Sequence, residues 1–216
     1  MPPRVTIIDY GLGNLFSLRR ALGYLGAEPE TASTPREVEQ AEQLILPGVG
    51  AFGDGMRQLR ERGLVDPVRR AATEGVPLLG ICLGMQLFFT ESEEFGRHDG
   101  LGIFAGRVGR LAATAASGEP VKVPHVGWNA LTPAPGGLPW ERSALQELAP
   151  GDSVYFVHSY VPSPEDGAVT VAEMAHGGHR YCAMVQRGAV VGCQFHPEKS
   201  GAVGLRILRH FLGLEG

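Results

Sequence analysis

The sequence has no run of basic residues. Its 19 Lys and Arg stand against 23 Asp and Glu, a formal net charge of −4. The phosphate-binding footprint of a nucleic-acid binder is therefore missing. Cysteine is scarce: Cys82, Cys182 and Cys193 are an odd set without a Cys-x-x-Cys pair, which argues against a disulfide scaffold or a zinc ribbon. No apolar run is long. The longest uncharged apolar stretch, Val76 to Phe89, has 14 residues and contains Gln86, short of the roughly 20 that cross a bilayer. Met1-Pro2-Pro3-Arg4 leads at once into a strand-like run with no signal-peptide pattern. A cytoplasmic, reducing setting is expected, with no metal, cofactor, nucleic acid or membrane involved. Gly and Pro are in excess instead, 31 and 16 of 216 residues, more than a fifth of the chain against about 12% in average usage. With no Gly-X-Y period, the excess means turns and backbone-defined loops. At about 150 residues per domain, and with no repeat or linker, one domain over residues 1–216 is expected.

The first half alternates strand and helix signals. Val5 to Asp9 reads as a buried strand, and Asn14 caps a helix from Leu15 to Leu25. Thr34-Pro35-Arg36-Glu37 fits a capping box with Pro at N1. Leu44 to Leu46 is a short strand, Asp54 to Thr73 a helix with breakers at Gly63 and Pro67, and Val76 to Ile81 a strand. Another helix starts over Leu83 to Phe89. Such alternation predicts a parallel sheet covered on both faces. In the second half Lys122–Trp128, Ser153–Tyr160, Ala168–Glu173, Tyr181–Gln186 and Val190–Phe195 read as strands in hairpins. Residues 132–151 read as loop with one short helix. A last helix over Gly201 to Leu212 buries Val203, Ile207, Leu208 and Phe211.

The most informative local pattern is Gly80-Ile81-Cys82-Leu83-Gly84. A potential nucleophile sits between a strand and a helix, bracketed by glycines, the sulfur counterpart of a nucleophile elbow. The helix start favours negative charge on sulfur, and the Leu83 N–H is aimed where an oxyanion would form. Alone, the pattern fits a buried structural Cys equally well. A nucleophilic Cys needs a base and the base an orienting group. His196-Pro197-Glu198 offers both, because Pro197 keeps His196 extended and alternate side chains then point the same way. Cys182 and Cys193 lie inside strand patterns and read as core.

Gly48-Val49-Gly50-Ala51-Phe52-Gly53 formally matches a dinucleotide fingerprint. It does not open the first strand–helix unit, and Pro47 precedes it, so that reading is rejected. Glycines on both sides of Val49 suit a backbone strip able to rotate and to supply a second oxyanion N–H. Gln86 lies one helical turn beyond Cys82, on the same face. His125 and His158 read as packed, hydrogen-bonded histidines. His176-Gly-Gly-His179 lacks the acidic or Cys neighbours a metal site needs.

These segments resemble the class I (triad) glutamine amidotransferases, and within them the glutaminase subunits of imidazole glycerol phosphate synthase. The matching stretches span nearly the whole chain: Ile8 to Asn14, Leu46 to Gly50, Gly80 to Gln86, Lys122 to Asn129, Tyr155 to Tyr160 and Gln194 to Ser200. The resemblance implies an open, mostly parallel (mixed), twisted α/β sheet flanked by helices, the flavodoxin-like amidotransferase fold. It implies that Cys82 attacks the glutamine amide, that His196 moves the proton, and that Glu198 orients His196. Val49, Gly50 and Leu83 would form the oxyanion hole, and Gln86, Glu94, Ser159 and Tyr160 would bind glutamine. Ammonia would pass to a (β/α)8-barrel cyclase, the heterodimer partner, at an interface including Asn14, Trp128 and Lys199. Coupling to that partner would make rotation of the Val49 peptide a switch. Thr90 departs from the acidic residue common at its position, and residues 132–151 match poorly. Competing readings are another triad amidotransferase, a stand-alone Cys hydrolase, or a partner-binding protein that has lost catalysis. The joint presence of Cys82, His196 and Glu198 argues against the last.

Overall fold

The computed structural model describes residues 2–214. Met1, and the last two residues of the expected 1–216 domain, lie outside the described residues. The chain runs β1 (Arg4–Ile8), α1 (Leu15–Tyr24), β2 (Glu28–Ala32), α2 (Pro35–Glu39), β3 (Leu44–Gly48), α3 (Phe52–Glu61), α4 (Val65–Glu74), β4 (Leu78–Cys82) and α5 (Leu83–Leu87). It continues through β5 (Phe89–Ser92), β6 (His98–Asp99), β7 (Phe104–Arg110), β8 (His125–Ala130), β9 (Thr132–Pro133), β10 (Ser153–His158) and β11 (Tyr160–Pro164). β12 (Thr170–His176), β13 (His179–Arg187), β14 (Val190–Cys193) and α6 (Gly201–Phe211) complete it.

The main sheet has the order β2-β1-β3-β4-β14-β13-β12-β9. Pairing is parallel from β2 through β14 and antiparallel beyond. This is the expected mixed, mostly parallel α/β sheet. Every residue of β3 and β4 is buried, as a strand covered on both faces requires. Side chains alternate between two cores. Ile7, Ile45, Leu79 and Ile81 pack with Leu18 and Leu22 of α1 and Ile207 and Leu208 of α6. Ile8, Leu44, Leu46 and Leu78 pack with Val38, Met56, Leu59 and Val68 on the other face. Each fully buried aliphatic side chain contributes about 1.5–3 kcal/mol, so the central strands are the rigid frame. Among the described residues, no helix is long and apolar enough to cross a membrane.

Local signals hold where the sequence carries a cap. Asn14 accepts from the Ser17 N–H at 3.3 Å, and Thr34 with Glu37 forms the capping box. The helix over 54–73 breaks at Gly63, one of its two expected breakers, whose φ of +69° is left-handed, and becomes α3 and α4. Other elements differ from expectation. The helix after Cys82 stops at Leu87, because the Leu101 N–H takes the Leu87 carbonyl and the Ile103 N–H takes that of Phe88. β2 was not expected; Glu28-Pro29-Glu30 suits an edge strand rather than an apolar run. The strands β5, β6 and β7 form a separate four-stranded sheet with β11. Residues 132–151 hold β9 and a 3-10 turn over Trp140–Arg142. In α6, Ile207 and Leu208 are fully buried, whereas Val203 and Phe211 are partly so.

Glycine at position 84 is dictated by packing. A Cβ there would overlap the Leu46 carbonyl oxygen of β3, backbone that cannot yield. Gly23 in α1 has nothing within 4 Å of its Cβ position. Gly84→Ala should therefore cost about 3 kcal/mol or more, while Gly23→Ala should gain about 0.5–1 kcal/mol from helix propensity. Urea unfolding midpoints check this, and similar shifts for the two variants would contradict the packing account.

Candidate active site

β1, β3, β4 and β14 are parallel, so their carboxyl ends reach one edge of the sheet. Ligands in open α/β sheets bind outside that edge. Here β3 ends in the Gly48-Val49-Gly50 strip, β4 ends on Cys82, and β14 leads within three residues to His196. Register sets their heights: Gly48 pairs with Cys82, and Ile81 with Cys193.

Cys82 has φ 54° and ψ −108°, a conformation that costs a non-glycine residue about 1–3 kcal/mol. Two neighbours hold it there. A Cβ at Gly80 would meet the Phe88 ring and the Met85 nitrogen, and one at Gly84 would meet β3. The turn is thus clamped between sheet and α5, with the sulfur at the tip. The Gln194 Nε2 donates to Cys82 Sγ at 3.6 Å, and the thiol faces the Val157 carbonyl at 3.9 Å.

His196 is positioned by its backbone. Its N–H donates to the Tyr155 carbonyl at 2.9 Å, and Ser200 Oγ bridges the His196 carbonyl and the Tyr155 N–H at 2.6 and 3.0 Å. Its Nδ1–H donates to Glu198 Oε1 at 2.8 Å, with both side chains under 5% exposed, 3% and 4%. That bond fixes the tautomer and leaves Nε2 buried without a hydrogen-bond partner. Burial opposes a charged ring, but the neighbouring Cys82 sulfur and Glu198 carboxylate outweigh it and raise the His196 pKa to about 9.

Cys82 and His196 line one cavity of about 300 Å³. Val49, Gly50, Leu83, Gln86, Glu94, Ser159 and Tyr160 also border it. The Gln86 Nε2 donates to the Tyr160 carbonyl and to Gln194 Oε1, both at 3.0 Å. Glu94 Oε2 accepts from the Phe52 N–H at 2.7 Å, capping α3 where Ala51 provides no side-chain cap. Asn14, Trp128 and Lys199 lie outside the cavity. Asn14 is bound up in its helix cap, and Trp128 is 58% exposed on β8.

One feature escaped sequence reasoning. Gln194 is fully buried and links Cys82 to Gln86. Its signal was available: Cys193 and Phe195 share one core, so Gln194 and His196 face away from it together. The expected packed, hydrogen-bonded His125 and His158 form a chain of neutral histidines. His158 Nδ1–H donates to the Tyr160 carbonyl at 2.9 Å, so its Nε2 accepts from His125 Nδ1–H at 3.3 Å. Burial depresses both, to about 4.

Comparison with known proteins adds the lineage. The family described as Glutamine amidotransferase class-I matches residues 6–213. Imidazole glycerol phosphate synthase subunit HisH of Syntrophotalea carbinolica is 50% identical over 211 residues, covering 96% of this chain and 98% of that one. Subunit HisH 1 of Legionella pneumophila strain Lens is 44% identical over 208 residues, with the same coverage. Among solved structures, a glutamine amidotransferase superposes with a TM-score of 0.71 at 24% identity, over 97% of each chain. PurLQS from Thermotoga maritima gives 0.74 at 21%, over 99% of each. The chain that carries this cavity belongs to the class I glutamine amidotransferase family.

Proposed function

We propose that the chain is the glutaminase subunit of an imidazole glycerol phosphate synthase in histidine biosynthesis. It hydrolyses glutamine through a thioester on Cys82 and passes the ammonia to a (β/α)8-barrel cyclase. The observation that carries this reading is the free Nε2 of His196, held by a buried carboxylate, on the same cavity as a sulfur at a strained elbow. The named relatives, similar over nearly their full length, support the assignment to this synthase.

The steps follow from those groups. With the thiol proton held on His196 Nε2, Cys82 Sγ bonds to the side-chain amide carbon of glutamine. The carbonyl electron pair moves onto oxygen, where the Leu83 N–H and the Val49–Gly50 strip receive it. The C–N bond breaks, His196 returns the proton to the departing nitrogen, and ammonia leaves a glutamyl thioester. Water, deprotonated by the same Nε2, attacks that thioester; glutamate departs and frees the Cys82 sulfur, the proton again on Nε2. Glu198 keeps the imidazolium affordable in a buried site. Of the side chains lining the cavity, Glu94 is the carboxylate, suited to the α-ammonium group, while Gln86, Ser159 and Tyr160 offer polar groups to the remainder.

The docking face is the hairpin beside the cavity. Trp128 pairs across it with Tyr155, and Val126 with Val157. Trp128, Val126 and Val157 are 58%, 52% and 37% exposed, an apolar surface of the kind that marks protein contacts. Asn14 and Lys199 complete the proposed interface.

Cys82→Ala tests the chemistry. In the assembled synthase it should abolish synthesis from glutamine and leave synthesis from ammonium salts near wild type; loss of both would refute the assignment. Trp128→Ala should weaken assembly with the cyclase at least tenfold by titration calorimetry, and unchanged affinity would move the interface elsewhere. The charge on His196 gives a third expectation. Its pKa is raised from 6.5 to about 9, so its contribution to stability is full below pH 6.5 and vanishes as pH rises through 9. Glu198→Gln should therefore lower the melting temperature more at pH 6 than at pH 9.5. An equal loss at both would show that the pair does not hold a charged ring.

A further inference from the structure

Among the described residues, three buried side-chain polar atoms lack a hydrogen-bond partner: His196 Nε2, Glu198 Oε2 and Tyr10 Oη. The first two belong to the proposed dyad. Tyr10 is fully buried and enters none of the steps above. It stands two residues beyond β1, at the same sheet edge as the strip, Cys82 and His196. Its loop is fixed: the Asp9 N–H bonds the Ala32 carbonyl at 2.7 Å, and the Gly11 N–H bonds Asp9 Oδ1 at 3.0 Å.

The Tyr10 hydroxyl occupies the place where a Cβ on Gly48 would stand. The same point lies 2.9 Å from Leu83 Cβ and 3.2 Å from the Gly84 nitrogen. The oxygen is thus wedged between the root of the Gly48-Val49-Gly50 strip and the first turn of α5. Those two segments carry the proposed oxyanion donors. A buried hydroxyl without a partner is costly, and native structures rarely tolerate one without a reason. The adjoining backbone able to turn is the strip, where Gly50 already has φ +103°.

We propose that Tyr10 is a positioning residue for glutamine hydrolysis: its hydroxyl sets the spacing between the Val49 peptide and the Leu83 N–H, and gains the hydrogen bond it lacks when that peptide turns toward the reacting oxygen. This rests on the glutaminase reading above. Burial, and next the Cys82 charge, push the phenol well above its ordinary pKa, so the group acts as a neutral hydroxyl and not as a base. The turned strip is favoured because it satisfies a group that the resting one leaves unpaired.

The test compares wild type and Tyr10→Phe, full chains assembled with the cyclase subunit. Glutamate release gives kcat and KM, iodoacetamide reports the reactivity of Cys82, and a melting curve reports packing. Tyr10→Phe should lower kcat at least tenfold with KM within twofold, the loss expected of an interaction made only in the transition state. Alkylation needs no oxyanion hole and should stay within twofold. The melting temperature should be equal or higher, since an unpaired buried oxygen has been removed. A kcat within twofold of wild type would overturn the proposal, leaving the hydroxyl as packing or a water ligand. Parallel loss of kcat and alkylation would overturn it too, since the hydroxyl would then act on the sulfur. A wild-type assembly that releases no glutamate would instead bring down the glutaminase reading itself.

Discussion

The closest constraint in the molecule is the approach of α5 to β3. Leu46 offers a backbone oxygen where any side chain on residue 84 would stand, and the Phe88 ring fills the same role above Gly80. These contacts force the chain between β4 and α5 through an abrupt turn, and Cys82 absorbs the strain with its left-handed φ of 54°. Strain of this kind survives only where the surroundings over-determine it. Fully buried strands on either side of the turn provide that rigidity. The sulfur therefore projects from the tip of a rigid element rather than from a mobile loop, as catalysis by a positioned nucleophile requires.

Electrostatics divides the histidines near that sulfur. Burial, and with it the neighbouring His176, depresses the pKa values of His158 and His125 to about 4. His196 is equally hidden but raised to about 9, because the Cys82 sulfur and the Glu198 carboxylate, 2.8 Å from its Nδ1, outweigh burial. The difference comes from that sulfur and from a carboxylate two residues along an extended turn, not from burial. A neutral chain on one wall and a proton-holding ring on the other give the proposed base no competitor for the thiol proton.

The parts of the fold and site that were legible in the sequence are those whose information is local. The capping box at Thr34, the cap at Asn14 and the glycine-bracketed Cys82 each specify their own geometry within about five residues. His196 and Glu198 were readable because Pro197 restricts the backbone between them. What was missed depends on distant partners. The end of α5 is decided by amides of residues 101 and 103, and the edge strand β2 is recruited by β1 despite its charged sequence. Tyr10 gave no sign at all, since only the fold brings its hydroxyl against Gly48. Gln194 was legible in principle from alternation, but its importance emerges only through Cys82 and Gln86.

The parallel pairing of β4 with β14 joins the first half of the chain to the second. The first half contributes the strip and the sulfur, and the second contributes His196, Glu198 and the exposed face around Trp128. Four paired positions, Leu78 to Ile81 against Val190 to Cys193, set one half against the other. Side chains alternate with period two, so a slip of one residue would turn His196 into the core and present Phe195 to the cavity. The register is protected by the cores themselves: Cys193 and Phe195 pack with Ile81 on one face, and Val190 packs with Leu78 on the other. Apolar burial on both faces of the sheet thus fixes the distance between a proposed nucleophile and base that lie more than a hundred residues apart in the chain.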